Sequence, residues 1–167
     1  MNTDTMRFME GKYMETKKKL TVLTKIAHHL NAAGITWAVG GSMLLYFKNI
    51  VSEFQDIDIM IKDRDAEAAK KILLGMGTLE PPKASAKFKS KAFYEFTIDG
   101  VDIDVMAGFV IVNNGKEHDC SLQEKEITQT ILLGNETIPL HSLAAWRRNY
   151  SLMDKPEKVR LIDEMTK

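Results

Sequence analysis

With a single cysteine, Cys120, in 167 residues, the chain has no internal disulfide to form and no cysteine-based zinc site to build, and a reducing compartment suits it. Net charge is missing too. Lys+Arg and Asp+Glu each number 23, a balance that argues against a dedicated nucleic-acid binder or a polybasic membrane module, whose electrostatic footprint would be basic. A small nucleotide needs only a local field and stays open. No stretch approaches the roughly 20 apolar residues of a bilayer span, and Met1 to Met14 has no apolar run of signal-peptide length. The expected location is cytoplasmic, with no membrane partner. Internal repeats, low-complexity tracts and long linkers are also lacking. What is present is ordinary for a folded domain: 44% hydrophobic and 28% charged residues, in a length that suits one domain with a small helical appendage.

Apolar positions Leu20, Leu23, Ile26, Ala27 and Leu30 recur at three- and four-residue spacing and predict a helix over 15–33, stopped by Gly34. Residues 1–14 read as a flexible, methionine-rich leader. Ile35 to Val39 reads as a buried strand, followed by Gly40-Gly41-Ser42 and a short helix with Ser42 as its candidate cap. Residues 54–62 alternate, with Ile57, Ile59 and Ile61 on one face and Asp56, Asp58 and Met60 on the other. A helix is predicted over 63–76 and a Pro81-Pro82 loop over 78–86. Strands follow over 87–98 and 101–112 around Asp99-Gly100, and a smaller hairpin lies around Gly134-Asn135. Helical patterns close the chain over 141–153 and 157–165. The expected fold is α/β (α+β), a mixed sheet with a helical tail, arranged as a domain over 15–140 and a C-terminal helical extension over 141–167.

The chemistry concentrates in Asp56-Ile57-Asp58. On a strand, residues i and i+2 share a face about 7 Å apart, so the two carboxylates enter one space, where burial raises their pKa or calls for a cation. A lone Asp-x-Asp is more often a solvated strand face. Here, however, one face of the strand is all isoleucine, a glycine turn ends the preceding strand, and Asp102-Ile103-Asp104 repeats the pattern. Glycine lets backbone approach a ligand closely, and amides opening a helix favour phosphate. Gly40, Gly41 and Ser42 thus become candidate phosphate contacts beside carboxylates suited to Mg²⁺.

Gly40-Gly41-Ser42, thirteen intervening residues, Asp56-Ile57-Asp58 and a distant strand aspartate together resemble the signature of the nucleotidyltransferase superfamily that includes DNA polymerase β and the small aminoglycoside nucleotidyltransferases. The resemblance covers about residues 20 to 110. It implies a mixed sheet with helices mainly on one side. It also implies Asp56 and Asp58 as paired ligands of two Mg²⁺ (or Mn²⁺) ions, and a third carboxylate that helps hold metal and activates the acceptor. Asp104, lying between Ile103 and Val105, is preferred for that third place over Asp102, which is nearer the turn. The implied reaction moves a nucleoside monophosphate from a nucleoside triphosphate to an acceptor hydroxyl and releases pyrophosphate. The acceptor is left open among a small molecule, a protein and an RNA end, and a homodimer or a helical partner protein is implied by the same resemblance. The rival expectation is a non-catalytic nucleotide-binding or antitoxin-like interaction module that keeps the fold.

Other residues carry weaker signals. Lys87, Lys89 and Lys91 alternate on one predicted strand face; Lys89 is the candidate for a triphosphate tail, against the commoner solvated edge. His28-His29 project about 100° apart on a helix and make a poor metal clamp. His118 and Cys120 offer too few ligands for a metal site. Trp146 and Tyr150, four apart, are expected to pack as core, while Arg147 and Arg148 are candidate phosphate or acceptor contacts weighed against plain solvation.

Overall fold

The computed structural model describes residues 2–167. The first helix, α1, runs Thr3–Ala32, twelve residues further toward the N-terminus than the apolar spacing predicts. Asn2 caps it, accepting from the Thr5 amide at 2.7 Å. Residues 2–15 are all exposed, and burial begins only where the stripe of Val22, Leu23, Ile26, Ala27 and Leu30 meets the sheet. The residues expected as a leader therefore continue the helix as its free half; Met1 lies outside the described residues.

The sheet is built from β1 (Trp37–Gly40), β2 (Ile57–Ile61), β3 (Thr78–Leu79), β4 (Ala92–Ile98), β5 (Val101–Ala107), β8 (Ile127–Leu133) and β9 (Glu136–His141), in the order β3-β4-β5-β2-β1-β9-β8. A separate ribbon pairs β6 (Val110–Asn113) with β7 (Lys116–Asp119). The pairing is mixed: β2 runs parallel to β5 and β1 parallel to β9, while the other neighbours are antiparallel. The remaining helices are α2 (Gly41–Phe47), α3 (Ala66–Leu74), α4 (Leu143–Leu152) and α5 (Pro156–Met165). The side chains of Trp37, Val39, Ile57, Ile59 and Ile61 share one face by strand alternation and are buried. There Asn31 of α1 accepts the Trp37 indole N–H at 2.9 Å. The other face carries Gly40, Asp58 and Asp104, and α4 crosses over it. Among the described residues no helix is long and apolar enough to cross a membrane.

Several predicted boundaries move for identifiable reasons. The helix after β1 begins at Gly41 and is capped by Gly40 without a side-chain bond, because Gly41 turns the chain at φ +60° one residue before the expected Ser42 cap. Residues 87–91 fall outside the main sheet but still run antiparallel beside 108–112: the Lys89 and Lys91 amides donate to the Val110 and Gly108 carbonyls, the Val112 amide donates to the Lys87 carbonyl, and Phe88 bridges to Ile111, so the expected strand pairing persists here only as a loose extension. The long strand expected over 101–112 breaks at Gly108, φ +57°, and its second half turns away into the ribbon. Residues 63–65 form a 3₁₀ turn before α3.

Because residues 2–14 are exposed and their tie to the body is the surface pair Lys12–Glu53, deleting residues 1–14 should lower Tm by no more than about 2–4 °C. Leu23→Ala, in the fully buried stripe, should cost about 2–5 kcal/mol. Thermal and denaturant unfolding check both, and a comparable loss on truncation would show that the free half supports the core.

Candidate active site

The parallel register of β2 and β5 sets Asp58 directly beside Asp104. Antiparallel pairing then adds Glu95 beyond Asp104 and Gly40 on the other side of Asp58. Neighbouring strands lie about 4.8 Å apart, so Glu95, Asp104 and Asp58 form a carboxylate row that ends at a residue with no side chain. Asp56 precedes β2, and one residue before the Ile57–Ile103 pair it comes beside Asp102, giving a second acidic rung toward solvent.

Strand alternation explains why these groups enter one space. Ile57, Ile59, Ile103 and Val105 are buried on the opposite face, and a one-residue slip would exchange them with the acids. Gly41 supplies the room: a Cβ there would fall 1.8 Å from an Asp58 carboxylate oxygen, so any other residue would displace that side chain. Gly40 is as tightly covered, its hypothetical Cβ lying 2.4 Å from three indole atoms of Trp146.

Like charges held this way are electrostatically costly. Burial, then Asp104 and Asp56, push Asp58 well above the ordinary carboxylate range, with Lys155 opposing. Asp104 is pushed up to about 6, first by burial and then by Asp56, Glu95 and Asp102. Asp56 is also raised, by burial and Asp102, with Lys19 pulling the other way. Oxygen-only donors beside one another, each favouring a neutralising proton, suit a hard divalent cation. Among the described residues, no three His, Cys, Asp or Glu side chains are close enough to hold a metal ion as they stand.

Asp56, Asp58, Asp104 and Ser42 line one cleft of about 440 Å³, the size of a small-molecule site. Much of the remaining lining is aromatic: Phe88 stacks on Phe93 with centroids 6.0 Å apart, Phe109 on Trp146 at 6.5 Å, and Tyr150 abuts Trp146 at 5.4 Å. Lys155 and Lys158, from the α4–α5 corner, complete the rim. Burial and the nearby Asp58 push the Tyr150 hydroxyl far above its usual range, so it stays protonated.

The structure thus gathers Asp56, Asp58, Asp104, Gly40, Gly41 and Ser42 and leaves the other candidates elsewhere. Lys89 lies 3.3 Å from Glu117 and does not line the cleft. Lys87 donates to the Met153 carbonyl and Lys91 reaches Asp63 at 3.0 Å. Arg147 grips Asp163 through two bonds of 2.6 and 2.9 Å, tying α4 to α5, and Arg148 lies 3.8 Å from Glu126. Trp146 and Tyr150 pack as expected, yet the same rings wall the cleft. Sequence reasoning missed Lys155, Lys158 and the phenylalanine wall. Long-range packing brings these together, and the Lys-Pro corner at 155–156 is the one local signal that could have marked a rim.

Residues 22–164 match the aminoglycoside-2''-adenylyltransferase family model, and the chain belongs to that family. A Thermotoga maritima protein provisionally described as a nucleotidyltransferase superposes with a TM-score of 0.70 at 23% identity, covering 89% of this chain and 92% of its own. ANT(2'')-Ia in complex with adenylyl-2''-tobramycin superposes at 0.63 with 11% identity, covering 90% of each chain. The solution structure of ANT(2'')-Ia has the same TM-score and identity and covers 90% of this chain and 85% of that one. These structural likenesses are of fold: the chain has a minimal nucleotidyltransferase fold. No curated protein matches it in sequence.

The raised carboxylates make a signed prediction. Asp104 binds a proton more readily folded than unfolded, so the metal-free protein should lose stability as pH rises from about 4 through about 6. Asp104→Asn should flatten that slope and raise Tm near neutral pH by about 2–4 °C. Scanning calorimetry in chelator across pH tests this; a Tm that falls on substitution would contradict the electrostatic account.

Proposed function

From that kinship, we propose that the protein is a Mg²⁺-dependent nucleotidyltransferase that moves a nucleoside monophosphate from a nucleoside triphosphate to an acceptor hydroxyl. The carrying observation is the convergence of Asp56, Asp58 and Asp104 in one cleft beside Gly41 and Ser42. Those three carboxylates would hold the divalent ions. Such ions, when bound, neutralise the phosphates and stabilise the entering and leaving oxygens.

The chain's own groups supply position and charge. The Gly40-Gly41-Ser42 turn offers backbone and a hydroxyl to phosphate, and the Lys155 and Lys158 ammonium groups offset the triphosphate tail. The aromatic wall provides an apolar surface for a base. The acceptor oxygen forms a bond to the α-phosphorus while the bond from that phosphorus to the bridging oxygen breaks. Pyrophosphate leaves with the electron pair, and the hydroxyl proton passes to Asp104, the role that the superfamily resemblance implies. Beyond Asp104 an adjoining hollow is lined by Glu95, Asp102 and Glu80, with Lys83 3.6 Å from Glu95 as its one cation against five carboxylates. That acidic lining favours an acceptor whose hydroxyl sits on an amine-bearing small molecule, in keeping with the family and with a fold neighbour solved with adenylyl-2''-tobramycin.

Incubation with Mg²⁺, each of the four ribonucleoside triphosphates and a panel of amine-bearing polyols should release pyrophosphate and add one nucleotide mass to an acceptor. Asp56→Asn, Asp58→Asn and Asp104→Asn should each reduce turnover by about 10²–10³-fold or more, and Lys155→Ala should raise KM for the triphosphate about tenfold. Lys89→Ala, paired away from the cleft, should leave rates unchanged. Full turnover in the aspartate variants would remove the assigned chemistry; triphosphate binding without pyrophosphate release across the panel would favour a non-catalytic nucleotide-binding module.

A further inference from the structure

The wall that covers Gly40 is itself anchored by a polar contact. β9 ends at His141 and α4 starts after Ser142, whose hydroxyl accepts from the Ala145 amide at 3.1 Å. That places His141 just before the cap and Trp146 one turn inside the helix, a pair of positions that commonly close through an apolar contact. Here they close through a hydrogen bond: the Trp146 indole N–H donates to His141 Nδ1 at 3.0 Å. Histidine is an unusual choice for the place, being 0% exposed beside an indole that is 2% exposed. Because Nδ1 accepts, the imidazole proton sits on Nε2, facing Glu126 Oε1 at 3.5 Å. Glu126 is held in turn by the Gln123 amide at 3.3 Å and lies 3.8 Å from Arg148. Burial lowers the His141 pKa, with Arg148 acting in the same direction and Glu126 opposing, and keeps the ring neutral.

The sheet gives this contact its reach. In the parallel pairing of β1 with β9, Val39 faces Leu140, so the next residue along, His141, comes beside Gly40, and Gly40 faces Asp58. The imidazole, the glycine and the carboxylate occupy consecutive strands at one level, with the indole lying over the glycine.

We infer that His141 is a positioning residue for the nucleotide end of the cleft: by accepting the Trp146 indole N–H it holds that ring against Gly40, and so holds the Gly40-Gly41-Ser42 turn against Asp58. This role rests on the nucleotide-binding reading above. With an apolar side chain at 141 the indole N–H becomes a buried donor without an acceptor, a state that drives a side chain toward water. The open space that Trp146 lines is the cleft. A ring turned that way leaves the back of the glycine turn uncovered. Asparagine at 141 restores an acceptor close to the position of Nδ1.

The test is isothermal titration of the full chain with ATP and Mg²⁺, joined to hydrogen exchange of the indole N–H groups by ¹H–¹⁵N NMR, with Trp146→Phe assigning the Trp146 signal. His141→Leu should weaken ATP binding about tenfold, and His141→Asn should recover most of that loss. The Trp146 indole N–H should exchange slowly in the wild type and in His141→Asn. ATP binding that is equal in the wild type and His141→Leu overturns the inference while leaving the nucleotide reading standing. An indole N–H that exchanges as fast as an exposed one overturns it too, even where His141→Leu fails to fold. Failure of the wild type to bind ATP or any of the other three ribonucleoside triphosphates would instead sink the nucleotide reading itself, and the inference with it.

Discussion

The mutual repulsion of Asp58 and Asp104 is the constraint around which the cleft is organised. Parallel pairing of β2 with β5 leaves the two carboxylates on one face at one level, and burial denies them the water that would screen them. A sheet built only for stability would place a hydrophobic pair there, as it does one residue away at Ile59 and Val105. The acids are held in place by the isoleucine face behind them, because register cannot slip without burying the whole acidic set in the core. The fold therefore imposes the unfavourable proximity, which a proton or a divalent cation would relieve.

Everything on the other side of Asp58 serves to keep space open. Gly41 gives way to the carboxylate and Gly40 to the Trp146 ring, so two adjacent glycines answer two different close approaches. The indole is fixed by His141, and α4 is fixed to α5 by Arg147 and Asp163. The C-terminal helices thus do more than close the domain. They bring Trp146, Tyr150 and two lysines to the carboxylates, where Phe88, Phe93 and Phe109 complete the lining, and that combination suits a ligand with an apolar base and an anionic tail.

Much of this was legible in the sequence because it rests on local periodicity. Alternation over 57–61 separates isoleucine from aspartate in any pleated strand, and the Gly-Gly-Ser turn and the acidic pairs keep their order and spacing in the linear chain. Asp104 could be preferred over Asp102 from its apolar neighbours, and its partner in the register is Asp58. What stayed hidden is non-local. Nothing near Lys155 says that its loop returns to Asp58. Phe88, Phe93 and Phe109 come from segments whose crossing depends on the break at Gly108 and the departure of β6 from the main sheet. Lys89 misled for a related reason: residues 87–91 do run beside 108–112, but that extension leaves the main sheet and its lysines find carboxylates and carbonyls nearby. The free half of α1 escaped notice because it lacks a buried stripe, the signal on which helix recognition depended.

The central claim is that Asp56, Asp58 and Asp104 close around divalent cations when a triphosphate enters. A crystal grown with Mn²⁺ and a non-hydrolysable nucleoside triphosphate, with data collected at the manganese absorption edge, tests it most directly. The account predicts anomalous peaks bridging oxygens of those three side chains and the phosphates, with the phosphates against Gly41 and Ser42. Manganese bound elsewhere on the surface, or a triphosphate seated in the cleft with the three carboxylates splayed and metal-free, would contradict it.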